Sequence, residues 1–343
     1  MSAPLPAPRS ITTRSDLPWF SPHEDAAGFF NPWTTRHLVG PTQVGRWMLS
    51  PNPMRADKRR SRPPEAVSAA DDAWRAMTPG ARVQWLGHAS ALVQIDGVTV
   101  VIDPVLGRVN YVMPRLQRAP LTLDQLPPID VIVVTHGHYD HLDGPSVRAL
   151  ATRYPDAVVV VPKGLDGYLP AACRRVIPLD WWQAIAVDGV DIVMVPAQHW
   201  HRRGVRDTNR ALWGGVVVRG SHSVYHSGDT GYFDGFAAIG EELPGLDLAI
   251  LPLGAYEPRW FMAPQHMAPE DSVRAFEATG AKRLLGMHWG TFDLTDEPVD
   301  HGAASLLPRV IQERALDSER FVVVAPGGAV DLASGATVGA IKG

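Results

Sequence analysis

From Arg82 onward the apolar residues fall in short runs. RVQWLG, SALVQI and VTVVID are β-rich stretches joined by turn residues, as in a meander. DVIVV is a continuous apolar run that reads as a buried strand. AVVVVP, AIAVDG, DIVMVPA, LDLAILPLG, KRLLGMHWG, RFVVVAPGG and AVDLASG read as further strands, and WGGVVVRG with SHSVYHSGD as a hairpin. PSVRALATRY and APEDSVRAFEATG read as helices, the second with its acids in the first turn, where the helix dipole favours them. Strands dominate, with helices between them in both halves. This predicts an α/β (α+β) fold of two sheets packed face to face with helices outside.

Residues 1–80 follow a different pattern, rich in Pro, Trp and Arg with little alternation. They are expected to form an extension that wraps on a core domain, residues 81–343. Within the extension, PNPMRADKRRSRPPE carries five basic residues between prolines. It reads as a solvated linker, with a patch for anionic lipid head groups as the sharper alternative.

Composition narrows the classes. The chain has 343 residues, 45% hydrophobic and 20% charged, which is ordinary globular composition with room for a sizeable core. A net charge of −4 supplies no basic field for nucleic acid. The single cysteine, Cys173, excludes an internal disulfide and argues against a thiolate-rich zinc site. The N-terminus has no continuous apolar segment of the kind a secretory signal needs, and no 18-residue apolar run occurs. The expected location is the cytoplasm, with peripheral contact at the inner membrane face as the variant. Dimerisation is left open.

The chemistry is concentrated in THGHYDHLD, which follows the DVIVV strand. His136 and His138 are two apart, so in extended backbone they point to one side. Asp140 and His141 follow where the chain must turn, so a compact turn can aim two pairs of ligands at two nearby points. Imidazole and carboxylate suit Zn, Mn or Fe. Four donors do not complete two sites. His199, Asp229 and His288 each come directly after an apolar strand, where a sheet would deliver them to a common edge. The set is then five His and two Asp.

HxHxDH followed by His, Asp and His at strand ends resembles the metallo-β-lactamase-fold hydrolases over about residues 80–335. Within them, WLGHAS, IDP, PPID, HGHYDHLD, AQHW, GDTGY, GAYEPRWFM, QHMAPE and HWGTF look like the N-acyl-phosphatidylethanolamine-hydrolysing phospholipases D. FFNPW also resembles that family's N-terminal part. The resemblance implies an αββα sandwich with two zinc ions. His136, His138 and His199 would hold one, Asp140, His141 and His288 the other, and Asp229 would bridge them. It implies hydrolysis of a phospholipid phosphodiester by a water whose pKa the two metals lower, with Asp140 orienting it.

Other residues have expected roles. Asp103 and Asp143 are read as groups that hold ligands from behind, with turn roles as the plain alternative; His88 is open in the same way on its residues, and the resemblance implies that it too holds a ligand. The resemblance places His266 at the substrate phosphate as a donor or proton source, with Gln265 beside it. Tyr139 and Tyr256 are read as pocket lining. Trp200, Trp260, Phe261, Met262 and Trp289 lie close in sequence to the site and would suit an apolar groove. His201, His222, His226 and His301 fall outside the pattern and are read as structural or exposed. The runner-up keeps the dinuclear site but changes the bond, to a lactone, a β-lactam or another ester or amide. A diiron oxidoreductase is disfavoured by His138 and by the lack of length for a flavin domain, and a nuclease by the charge.

Overall fold

The computed structural model describes residues 4–35, 40–67, 69–110 and 113–341. Two eight-stranded sheets organise the described residues. In the first sheet, the strands Ala81–Gly87, Ser90–Ile95 and Val98–Ile102 form an antiparallel meander, and Val131–Val133, Val158–Pro162 and Val176–Leu179 continue from it in parallel. The strands Val324–Asp331 and Thr337–Ala340 close its other side. The second sheet repeats the plan. Gln183–Val187, Val190–Val195, Gly215–Arg219 and Ser223–His226 are antiparallel, and Leu248–Pro252, Arg283–Met287 and Phe321–Val322 follow in parallel.

The meanders turn on Asp-Gly pairs. Asp96-Gly97 and Asp188-Gly189 all have positive φ, and the flanking registers Ile95↔Val98 and Val187↔Val190 leave two-residue loops. Both central residues of such a turn must be left-handed, which explains a glycine at the second position.

Strand alternation sets the layers. Val93 and Val100 face the core between the sheets, which Ile192, Val218 and Val224 of the second sheet share, whereas Leu92, Val101, Ile132 and Val159 point outward. The helix Gly144–Arg153 covers that outer face through Val147 and Leu150. On the other side, the helices Gly235–Glu242 and Pro269–Thr279 pack on each other and on the second sheet, burying Phe236, Ile239, Val273 and Phe276. The result is a helix–sheet–sheet–helix sandwich.

Several details differ from the expected elements. AVDLASG is not a strand of its own: Val324–Asp331 runs through it, and Thr337–Ala340 pairs back. The short edge strand Val176–Leu179 and the helices Gly235–Glu242 and Leu307–Glu313 have no counterpart in the sequence reading. The first 80 residues contain the helices Pro41–Leu49, Arg55–Arg60 and Ala70–Ala76. Arg9–Ser10 adds an edge strand at Gln183 and Ala184. Trp33 stacks on Phe233 at 4.8 Å and donates to Gln198 Oε1 at 2.9 Å.

The basic segment is not a free linker. Lys58 pairs with Asp293 at 2.5 Å and donates to the Thr295 carbonyl. Asn52 donates to the Asp296 carbonyl at 2.8 Å and Ser61 to Asp300 at 2.6 Å. Among the described residues no helix is long and apolar enough to cross a membrane.

Trp85 is fully buried between the sheets, stacks on Trp289 at 5.4 Å, and donates through Nε1 to the His88 carbonyl at 2.7 Å. Trp85→Ala is expected to cost about 3–5 kcal/mol in a urea unfolding series, and a cost below about 1 kcal/mol would contradict this packing.

Candidate metal centre

The site is assembled from strand ends. His88 follows Ala81–Gly87, Asp103 follows Val98–Ile102, and Thr135–His141 follows Val131–Val133. From the second sheet, His199 comes after Val190–Val195, Asp229 after Ser223–His226 and His288 after Arg283–Met287. The HGHYDH segment folds into one compact turn, with the amides of His141 and Leu142 both donating to the His138 carbonyl. His88, Asp103 and His288 take positive φ values of 55°, 45° and 63°. Such backbone is costly for a non-glycine residue and persists where the surroundings enforce it.

Two groups of donors converge. In the first, His138 Nδ1 lies 2.9 Å from His136 Nε2 and 3.1 Å from His199 Nε2. In the second, Asp140, His141 and His288 gather with His88. Asp229 stands between them. One of its oxygens is 3.1 Å from His141 Nε2 and 3.9 Å from His136 Nε2, and the other is 3.1 Å from His288 Nε2.

The partners behind the imidazoles fix where the protons sit. His199 Nδ1 faces the Gln265 carbonyl at 3.0 Å, which can only accept, so Nδ1 carries the hydrogen and Nε2 keeps its lone pair. Asp103 does the same for two rings. Its Oδ2 accepts from His141 Nδ1 at 2.7 Å and from the Thr135 hydroxyl at 2.6 Å. That hydroxyl has spent its proton, so at 3.1 Å it accepts from His136 Nδ1. His136 and His199 thereby turn Nε2 toward the centre as a lone pair, and so does His141 in its neutral form, the arrangement that metal-ligating histidines use. His88 donates to Asp140 Oδ2 at 3.0 Å and holds that carboxylate in place.

The electrostatics fit a bound cation. Burial, and then the neighbouring imidazoles, hold His136 and His199 well below the ordinary imidazole pKa. Burial lowers His138 to about 4 and, with His288, His88 to about 3. These rings are neutral near pH 7, as ligands must be. Burial opposes charge on His141 too, but the carboxylates of Asp229, Asp103 and Asp140 outweigh it and raise its pKa. Burial pushes Asp140 and Asp229 up, and the surrounding histidines, His141 foremost, overcome it and keep both ionised. Yet Asp229 Oδ1, His141 Nε2, His288 Nε2 and His266 Nδ1 are buried without a hydrogen-bond partner. Unsatisfied buried polar atoms at one point are costly unless something coordinates them. The donor set fits metal ions.

The chain matches the family described as "Beta-lactamase superfamily domain" over residues 98–289. The chain belongs to the metallo-β-lactamase superfamily. It is 38% identical over 61% of its length to N-acyl-phosphatidylethanolamine-hydrolyzing phospholipase D 1 of Caenorhabditis elegans, and the match spans 64% of that relative. It is 33% identical over 72% of its length to a metal-dependent hydrolase of Methanopyrus kandleri, spanning 97% of that protein. Among solved structures, a metallo hydrolase from Ignicoccus hospitalis superposes with a TM-score of 0.55 at 21% identity, covering 77% of this chain and 99% of that one. That likeness is one of fold. The protein is a metal-dependent hydrolase whose His/Asp cluster can bind metal.

For this superfamily member, the structure gathers His136, His138, Asp140, His141, His199, Asp229 and His288 at one place, with His88 and Asp103 behind them. His266 lies in the cleft with Nδ1 3.8 Å from Asp229 Oδ2. Gln265 lines the cleft and uses its carbonyl on His199. Tyr139 is 37% exposed at the cleft wall.

Two expectations fail. Asp143 does not support the centre: it caps the helix Gly144–Arg153, accepting from the Ser146 amide at 3.0 Å and the Ser146 hydroxyl at 2.5 Å, as an aspartate at an N-cap does. Tyr256 does not line the cleft, because it is buried and its hydroxyl shares a 2.6 Å hydrogen bond with His301 Nδ1. Trp289 is core, stacked on Trp85.

Three contributors were missed. Thr135 relays Asp103 to His136. His226 accepts from the Gly228 amide at Nδ1, so its Nε2 carries hydrogen and donates to the Ala89 carbonyl at 2.9 Å, tying the Asp229 turn to the first sheet. Glu297 is buried and accepts from the amides of Ala255, Tyr256 and Glu257, which shapes the cleft wall at Ala255. A histidine three residues before Asp229 was the one visible hint.

Asp103→Ala is expected to weaken metal affinity by about 10–100-fold, read by chelator competition, since two ring orientations lose their anchor. Wild-type affinity in a folded variant would remove Asp103 from this role.

Proposed function

We propose that the protein is a dinuclear zinc phosphodiesterase of phospholipase D type, acting on N-acyl-phosphatidylethanolamine or a related phospholipid. The observation that carries this is the cleft above the centre. It has a volume of about 420 Å³, its floor holds His138, Asp140, Asp229, His266 and His288, and its walls include Val44, Trp47, Met113, Phe261, Met262 and Leu294. Titratable donors lie at the base and apolar side chains above, which suits a phosphodiester carrying acyl chains. The Caenorhabditis elegans relative, an N-acyl-phosphatidylethanolamine-hydrolyzing phospholipase D by name, supports the same reading.

His136, His138 and His199 would hold one ion, Asp140, His141 and His288 the other, and Asp229 both. Two such ions would supply Lewis acidity: a lowered pKa for the nucleophilic water and charge stabilisation on the phosphoryl group. Asp140, restrained by His88, orients the attacking water. A bond forms from water oxygen to phosphorus, and the bond from phosphorus to the ethanolamine oxygen breaks. The products are phosphatidic acid and an N-acylethanolamine, with the water's proton passing to the leaving oxygen. His266, lowered to about 4 by burial, is neutral at pH 7 and can donate a hydrogen bond to the phosphoryl group.

The rim fits a lipid surface. Met48 and Leu49 are 78% and 88% exposed and Trp260 is 43% exposed. Neighbouring Trp47 stacks on Phe261 at 5.2 Å, and Arg46 lies 4.4 Å over the Trp260 ring. Arg55, Arg59, Arg60 and Arg62 add exposed positive charge. Apolar side chains flanked by basic ones suit peripheral contact with an anionic bilayer.

Three outcomes test the proposal. Mass spectrometry of products from N-acyl-phosphatidylethanolamine should show phosphatidic acid and N-acylethanolamine, lost in Asp229→Asn. Opening of a lactone or β-lactam with the lipid untouched would shift the function to a carbonyl substrate on the same centre. His266→Ala should lower kcat by about 100-fold, within the range of a lost proton-transfer or hydrogen-bonding group, with both metals retained. Unchanged kinetics would remove it from the reaction. Met48→Glu with Leu49→Glu should cut turnover of vesicle-borne lipid by about tenfold or more while a soluble diester is hydrolysed as before. Equal losses on both substrates would count against the rim as a lipid contact.

A further inference from the structure

The loop His201–Arg210 takes no part in the reaction described above, yet it grips the ligand turn. Gly137 lies between His136 and His138, so any rotation of its peptide swings two of the three imidazoles in the first group. Arg203 Nη1 donates to the Gly137 carbonyl at 2.9 Å. Its guanidinium carbon lies 4.1 Å over the Tyr139 ring, and the Tyr139 hydroxyl donates back to the Arg203 carbonyl at 2.8 Å. The two loops are thus joined at three points.

Arg203 is itself held. Its amide donates to Asp207 Oδ1 at 3.2 Å, and the Gly204 amide donates to the same carboxylate at 2.7 Å. The fully buried His201 ring closes the other side of Gly137. A Cβ at position 137 would lie 2.1 Å from His201 Cε1, so no side chain fits there. The same loop begins just after His199, the third imidazole of the group.

We propose that Arg203 is a positioning residue for the three-histidine half of the centre. It ties the Gly137–Tyr139 turn to the loop carrying His199 and so sets how closely His136, His138 and His199 converge. The other half depends on different anchors, Asp103 behind His141 and His88 behind Asp140. Loss of Arg203 therefore acts unequally on the two halves. A guanidinium suits this position because it donates in a plane while its face stacks on Tyr139; an ammonium donates without stacking. The inference rests on the two-metal reading of the site.

The test uses the full chain stripped of metal and titrated with Co(II) under chelator competition, with absorption spectra recorded for each equivalent. Wild type, Arg203→Met, Arg203→Lys and Tyr139→Phe are compared. Wild type should take two equivalents. Arg203→Met should bind one of them about 10–100-fold more weakly, with an altered spectrum for that equivalent, and the other within about twofold of wild type. Arg203→Lys should recover part of the loss. Tyr139→Phe, which removes one hydrogen bond, should weaken the same equivalent by a smaller factor and decides the matter if Arg203→Met does not fold. Two wild-type equivalents in Arg203→Met, or in Tyr139→Phe should Arg203→Met not fold, would overturn the inference, as would equal weakening of both. Fewer than two equivalents in wild type would overturn the two-metal reading itself.

Discussion

The structure depends on the burial of Asp229. This carboxylate is 3% exposed, remains ionised, and has one oxygen without a hydrogen-bond partner. Around it stand His136, His199 and His266, which burial keeps neutral, and His141, whose pKa the neighbouring carboxylates raise. A protein interior tolerates an unpaired charge poorly, and removing it from water costs several kcal/mol. The arrangement is stable when cations complete it. The buried donors without partners are therefore a physical reason why this cluster can bind metal.

The sandwich brings those donors together. Each sheet is half meander and half parallel, and loops at its strand ends carry the functional side chains. Neither sheet completes either half of the centre, and each contributes to both. His136, His138, Asp140 and His141 come from the first, while His199, Asp229 and His288 come from the second. Trp85, His226 and the core between the sheets hold the two sets in register. Asp103 governs the chemistry from behind, because one carboxylate sets the tautomers of two rings through His141 and Thr135.

Much of this was legible in the chain because it is local. HGHYDH places four donors within six residues, and His199, Asp229 and His288 each follow an apolar strand run. Period-2 patterning and turn residues marked most strands for the same reason. What was not legible is what spans sequence. Thr135, His226 and Glu297 act on partners in other elements, and no local pattern announces that. Asp143 was misread because an aspartate before Gly-Pro caps a helix as readily as it holds a ligand from behind. Tyr256 lies next to a cleft motif but points into the core. The basic segment around Lys58 looked like a solvated linker, since its partners Asp293, Asp296 and Asp300 lie more than 200 residues away.

The central claim is that Asp229 joins two metal ions held by the two sheets. Anomalous diffraction from crystals of the purified protein tests it most directly. Two peaks about 3.5–4 Å apart are expected, one among His136, His138 and His199 and the other among Asp140, His141 and His288, with Asp229 between them. A single fully occupied peak, or two peaks that do not share Asp229, would contradict the account.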